Sequence, residues 1–206
     1  MPSRTKAAAR AGGNVLIRPL EPGDKPLIVA GLQGMSEQSR YRRFLASKPN
    51  FTASELAYLT EIDHHDHEAL IAIDPTSGEA AGVARYVRLV AEPEVAEPAV
   101  AVVDDWQHQG VGTALLNALI ERAKEEGIDR FRATILTENQ PALDLVQKSG
   151  LPGAGNARQD GFELAVEFEL HRDRRWRQLL DALRAAARGE LEFKLPGTHG
   201  RHGDPA

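Results

Sequence analysis

The stretch that decides the fold is Ala99-Val-Ala-Val-Val-Asp-Asp-Trp-Gln-His-Gln-Gly-Val-Gly-Thr-Ala-Leu-Leu116. An apolar run, Ala99–Val103, enters a turn containing Gly110 and Gly112, and a long helix starts at once, spanning Val111–Glu126. In that helix Val111, Leu115, Leu119 and Ala123 form one apolar stripe, with Leu116 and Ile120 beside it, and Gly127 ends it. A strand–glycine turn–helix junction gathers unpaired backbone N–H groups and the positive end of a helix dipole at one point. That is an anion site, and phosphate is its usual occupant. Two nucleotide readings fail at their defining residues. No Lys follows the glycines, as a Walker loop requires, and Leu115 occupies the third glycine position of a dinucleotide fingerprint.

Working outward, the flanking segments alternate. Val15–Leu20 reads as a strand, and Asp24 stands at an N-cap position before a helix over 25–34 with Pro26 in its first turn. Ser36–Ala46 is a second helix opened by a cap-type Ser, and Thr52 with Glu55 has capping-box spacing ahead of a third. Glu68–Ile73 and Ala81–Val90 form a hairpin around a DPTSGE turn. After the central helix come a strand at Phe131–Leu136, a helix at Pro141–Lys148 closed by Gly150, and an alternating strand at Phe162–Leu170. Alternating elements of this kind predict an α/β domain in three layers, αβα, around a mixed central sheet.

Composition bounds the rest. The chain has 206 residues, 42% of them hydrophobic, enough for one domain with attachments. A net charge of −5 argues against a chain-wide nucleic-acid footprint. No apolar run reaches bilayer length, and the basic first residues lack a signal-peptide h-region. There is no cysteine, which removes disulfides, thiolate metal sites and a cysteine nucleophile; the expected setting is cytoplasmic. The expected division is a disordered basic arm (1–13), the α/β domain (14–170), an appended amphipathic C-terminal helix with a short extension (171–196) and a disordered tail (197–206). In the appended helix Trp176, Leu179, Leu180 and Leu183 share a face. Docking on its own domain is the favoured use of that face; a membrane, nucleic acid or a partner helix, as in a homo-oligomer, are the sharper alternatives. Asp63-His-His-Asp-His-Glu68 has the residue types of a metal cluster, but consecutive ligands on a loop rarely close a shell, so no metal is expected.

Gln107-x-x-Gly110-x-Gly112 resembles the [QR]-x-x-G-x-[GA] motif of the GCN5-related N-acetyltransferases (GNAT). Asn139-Gln-Pro-Ala142-Leu-Asp-Leu145, closed by Gly150-Leu151, resembles that family's second block. Arg40-Tyr-Arg-Arg-Phe44 and Leu59-Thr-Glu-Ile-Asp63 are similar to its bacterial protein-lysine acetyltransferase (Pat-like) branch. The resemblance spans about 14–170 and implies a GNAT fold with acetyl-CoA as co-substrate. It implies that the loop Gln107, His108, Gln109, Gly110, Val111, Gly112 and Thr113 holds the pyrophosphate. It also implies that backbone groups around Val100–Val103, Val102 and Val103 foremost, pair with the pantetheine where neighbouring strands splay, and that Asn139 has a CoA-contacting or structural role, helix capping being the plain alternative. The reaction it implies is acetyl transfer to a primary amine, a protein lysine or else a small amine.

Such transfer needs a base, because an ammonium is not nucleophilic. Glu97, ten residues before Gln107 and on the same strand face as Ala99 and Ala101, is the candidate. Pro98 beside it belongs at a strand edge, start or bulge, so a change of register would bring Glu94 forward, and Glu97 could instead be solvated in a Pro-rich turn. Where the family often carries a Tyr acid this chain has Val146, and Gln109 replaces a common cation before Gly110. Val146 and Pro98 keep a non-catalytic acyl-CoA-binding module open, and the basic helix keeps an adaptor open. Glu92, Glu94, Glu97 and Asp63–Glu68 are expected around the acceptor cleft as a negative field suited to a cationic amine.

Overall fold

In a computed structural model the chain divides into two units, Met1–Arg172 and Asp173–Ala206. Residues 5–8, 14–149 and 157–170 are described, all within the first unit. The expected helix at 171–188, the extension to 196 and the tail lie outside the described residues.

The strands are β1 (Thr5–Ala8), β2 (Asn14–Pro19), β3 (His67–Ile73), β4 (Ala80–Leu89), β5 (Glu92–Val102), β6 (Arg130–Leu136), β7 (Ala157–Asp160) and β8 (Glu163–Glu169). They form one eight-stranded sheet in the order β1-β2-β3-β4-β5-β6-β8-β7. Every neighbouring pair is antiparallel except β5–β6. The sheet is therefore mixed, and its parallel pair is joined by a crossover helix, α4 (Val111–Glu125). Helices α1 (Lys25–Gln33), α2 (Glu37–Phe44) and α3 (Ala53–Thr60) lie between β2 and β3, and α5 (Gln140–Ser149) follows β6.

Strand parity sorts two cores. Leu70, Ala72, Ala84, Tyr86 and Ala96 point to the face covered by α4, where Val111, Leu115, Leu119 and Ala123 are buried on the expected stripe. Leu143, Leu145 and Val146 of α5 pack against the same core. On the opposite face Ala69, Ile71 and Ile73 meet Leu27 and Ile28 of α1. The three-layer reading stands.

Local signals mostly act as expected. Ser36 Oγ accepts from the Ser39 N–H at 3.2 Å, and Thr52 and Glu55 form the reciprocal capping box. Asp24 precedes α1 but does not cap it with its side chain. Its carboxylate is taken by Arg18 at 2.6 and 2.7 Å and by the Glu21 N–H at 2.8 Å.

Three features depart from the expectations. Thr5–Ala8, assigned to a disordered arm, pair with β2. Backbone groups on the open edge of β2 suffice for this, and a sequence of Thr, Lys and Ala carries no alternation to announce it. β7 was missed for the same reason: its four residues only edge β8. β5 also begins at Glu92 rather than near Ala99, after a two-residue turn at Val90-Ala91. Opposite its early part the register shifts between Arg88 and Leu89 of β4, so that Arg88 faces Ala96 and Leu89 faces Glu92.

One buried charge ties α4 to the sheet. Glu68, 1% exposed, accepts from Arg122 Nε at 3.1 Å and from the Ala69 N–H at 2.9 Å, and its Oε1 lies 2.8 Å from His64 Nδ1. Removing one partner leaves a buried carboxylate under-compensated. Arg122→Met should lower the unfolding free energy by about 3 kcal/mol, read from urea denaturation; a loss under about 1 kcal/mol, the size of an exposed pair, would contradict this assignment.

Candidate active site

The site begins where β5 and β6 separate. Their pairing consists of Val95 with Arg130 and Ala96 with Phe131. Beyond Ala96, β5 stays on β4 as far as Val102, while β6 stays on β8. A wedge opens between two strands that would otherwise share a ladder.

Which backbone groups line the wedge follows from alternation. Val103 N–H donates to Ala81 O at 3.0 Å, so odd residues turn their backbone groups toward β4. Even residues, Pro98, Val100 and Val102, then turn theirs toward the wedge. Pro98, opposite Tyr86, thus sits where its missing N–H costs no ladder bond on β4. Within the Val100–Val103 stretch expected to meet pantetheine, Val103 has its N–H engaged, and Val102 O accepts from Gln107 Nε2 at 3.2 Å. Val100 and Val102 are the residues left with an N–H aimed into the gap.

At the mouth of the wedge the loop is fastened to the α1–α2 junction. Asp104 Oδ2 accepts from the Ser36 N–H at 3.0 Å, and the Asp104 N–H donates to Gly34 O at 3.3 Å. Val103 sits so close to Gly34 that a Cβ there would meet its Cγ1 at 2.8 Å. Gln107 turns inward, with Nε2 also donating to Asp104 Oδ1 at 2.9 Å and Ser39 Oγ at 3.3 Å, and its own N–H goes to Asp104 O. Gln107 thus shapes the loop. Gln109 Nε2 donates to Asp105 O at 2.6 Å, and Trp106 packs against the core beneath.

The backbone amides of His108, Gln109, Gly110, Val111, Gly112 and Thr113 have no backbone or side-chain acceptor among the described residues. His108 (φ 60°) and Gly110 (φ 84°) adopt left-handed conformations, which curl these amides into a concave nest at the N-terminus of α4. This is an anion cradle on a fifteen-residue helix. Asn139 lies at the start of α5: its backbone O accepts from the Ala142 and Leu143 N–H groups at 3.0 and 3.1 Å, and its Oδ1 lies 3.4 Å from the Ala142 N–H. That is the helix-capping geometry.

On the face of β5 turned toward α2 and α3, a cleft of about 480 Å³ holds Glu97 beside Ala99. Glu97 is solvent-exposed and lies opposite Val87 in the ladder, in a regular strand rather than a turn. Phe44, Phe51 and Tyr58 supply aromatic walls. Arg43 and Arg85 also line the cleft, and sequence reasoning missed both as site residues, although Arg43 falls within the quoted Arg40–Phe44 segment. Arg85, 6% exposed, donates to Leu59 O at 2.7 Å. Burial, reinforced by the charge of Arg43, pulls its pKa down to about 10. Burial likewise lowers Arg43, against the pull of Glu97.

The expected acidic field does not gather here. Glu92 accepts from Arg132 at 2.7 and 2.9 Å, Glu94 from Arg130 at 3.0 Å, and Glu167 bridges both arginines. Asp66 pairs with Arg88, and His65 with Glu126. Ion pairing across β5, β6 and β8 has consumed charges that composition counted as free. His67 keeps a buried Nε2 without a partner, and burial lowers its pKa to about 4. Among the described residues no group of three or more His, Cys, Asp or Glu side chains could hold a metal ion. No described helix is long and apolar enough to cross a membrane.

A parted parallel pair with an amide nest at its mouth suits an extended ligand that carries both amides and phosphate. The model of the acetyltransferase (GNAT) family matches residues 36–151, and the chain belongs to that family. The family is one of acetyltransferases, whose co-substrate is acetyl-CoA. Acetyltransferase Pat of Mycolicibacterium smegmatis is 35% identical over 142 residues, covering 68% of this chain and 42% of Pat. The chain thus corresponds to less than half of that relative. The GNAT domain of S. lividans PAT superposes with a TM-score of 0.74 at 28% identity, over 81% of this chain and 96% of that domain. A fold match at 19% identity, TM-score 0.61, covering 78% of this chain and 96% of the other, is yncA from Salmonella typhimurium, solved with its cofactor acetyl-CoA.

The nest makes a separable prediction. A Cβ at Gly112 would meet only Val102 and Leu145 carbons at 3.5–3.8 Å, which is ordinary contact. Gly112→Ala should therefore melt at the same temperature or slightly higher, since Ala favours a helix by about 0.8 kcal/mol. It should bind acetyl-CoA within about threefold of the parent, because the methyl lies against Val102 and Leu145 and leaves the amides open. A loss of roughly tenfold or more by calorimetry would contradict this orientation of Gly112 toward the core.

Proposed function

We propose that this chain moves an acetyl group from acetyl-CoA to the ε-amine of a protein lysine, by direct attack within a ternary complex. The observation that carries the reading is the wedge beyond Ala96, with the amide nest at its mouth and Glu97 on the adjoining strand face.

In this reading the His108–Thr113 amides hold the pyrophosphate, with Val102 and Val103 forming the wall along which the pantetheine runs. The Val100 N–H donates to the thioester carbonyl and strengthens its hold as that oxygen gains charge. Glu97, directly or through one water, takes a proton from the incoming ammonium, and the freed lone pair attacks the carbonyl carbon. The attacking nitrogen, now positively charged, gives its second proton to solvent as collapse breaks the C–S bond, and the thiolate is protonated by solvent, since Val146 packs into the core and carries no proton to give. The chain contains no cysteine, which supports direct transfer over an acyl-cysteine route and suits a cytoplasmic setting. A protein acceptor is favoured by the open cleft with Tyr58 exposed on its wall and Leu45 exposed beside it.

Glu97→Gln should lower kcat by about a hundredfold while acetyl-CoA binding is retained. The deficit should shrink as pH rises toward the amine's own pKa, near 10.4 for a lysine by its usual reference value, where the nucleophile forms without a base. A kcat equal to that of the parent across the pH range rules Glu97 out. Acetyl-CoA binding with no transfer to any amine supports an acyl-CoA-binding module instead.

A further inference from the structure

The acceptor cleft carries the opposite charge from the one its sequence suggests. Arg43 reaches it from α2 and Arg85 from β4, and neither forms an ion pair among the described residues. Arg85 has one carbonyl partner and the ring of Tyr58, 6.0 Å away, and Arg43 lies over the ring of Phe44 at 5.0 Å. Lys48 and Glu55, also on the cleft wall, neutralise each other in a direct ion pair. The charged groups outside any ion pair are therefore two guanidiniums and the Glu97 carboxylate, whose charge pulls on Arg43. Two desolvated guanidiniums facing one carboxylate are short of an anion, and a guest carboxylate that reaches them offsets that cost.

We propose that Arg43 and Arg85 bind a carboxylate carried by the acceptor itself, so that an amine is delivered to Glu97 when an acidic group accompanies it. The proposal rests on the acetyl-transfer reading above and adds the acceptor's chemistry. Spacing sets the reach. Arg85 lies opposite Ala99, two residues along from Glu97 and on the same face, a diagonal of roughly 7 Å. A lysine ε-amine and the carboxylate of an adjacent Asp or Glu span a distance of that order, as do the two ends of a free lysine. The Arg pair thus fixes which lysines are presented, while Glu97 acts on the amine.

The two sources of the carboxylate are separated by matched acceptors. Nα-acetyl-lysine and N-acetylcadaverine differ only in the carboxylate. Capped peptides containing Lys-Asp, Lys-Asn and Lys-Lys vary the neighbour alone. The parent protein should favour the carboxylated member by roughly tenfold or more in kcat/KM, mainly through KM. A preference confined to the small pair assigns the carboxylate to a small acceptor, and one seen in the peptides assigns it to a protein; either supports the proposal. Arg43→Gln should bring the ratio close to one, and Arg43→Lys should keep part of it. Arg43 is used first because Arg85 also holds Leu59 O and its loss could perturb folding. Equal use of all acceptors, a preference for Lys-Lys, or an undiminished ratio in Arg43→Gln overturns the proposal while leaving acetyl transfer intact. No transfer to any acceptor overturns both.

Discussion

β5 and β6 run together for two residue pairs and then part, and the rest of the site is arranged around that parting. The separation has identifiable causes. Pro98 presents no N–H toward β6, so the ladder cannot continue through it on that side. At the far end, Asp104 is fastened to Ser36 and Gly34, which draws the exit of β5 toward α1 and α2. β6 meanwhile keeps a complete antiparallel partner in β8. The exposed strand edge this creates would be a liability on a free surface. Here it is a binding surface for an extended ligand with amides of its own.

The wedge also explains why the loop is built as it is. Gln107, conspicuous in the sequence motif, spends its side chain on Asp104, Val102 and Ser39, and holds the turn rather than a ligand. The amides after it are consequently left open at the end of α4, where the helix dipole adds to them. The acceptor side is organised differently. Its electrostatics come from guanidiniums delivered by α2 and β4, because most nearby acids are already paired across the sheet.

Much of this was legible in the sequence. The α4 stripe, the Thr52–Glu55 box and the glycine turn are local patterns whose physics acts within a few residues, and each took its expected form. Glu97 could be assigned to the Ala99 face by parity alone. What was not legible depends on partners distant in sequence. β1 and β7 are edge strands held by backbone pairing, which leaves no side-chain signature. The acidic cleft failed because charge counting cannot reveal that Arg132, forty residues away, neutralises Glu92. Arg85 was hidden because its neighbours in sequence say nothing of Arg43 across the cleft. Asn139 carried two readings, and local geometry favours capping.

The central claim is that the parted strands and the amide nest form one continuous acetyl-CoA site. Residue-resolved amide hydrogen exchange with and without acetyl-CoA tests it most directly, because the groups concerned are the amides themselves. The account predicts strong new protection at Val100 and across His108–Thr113, with the β3–β4 ladder unchanged. Protection elsewhere, with these amides exchanging as freely as before, would contradict it.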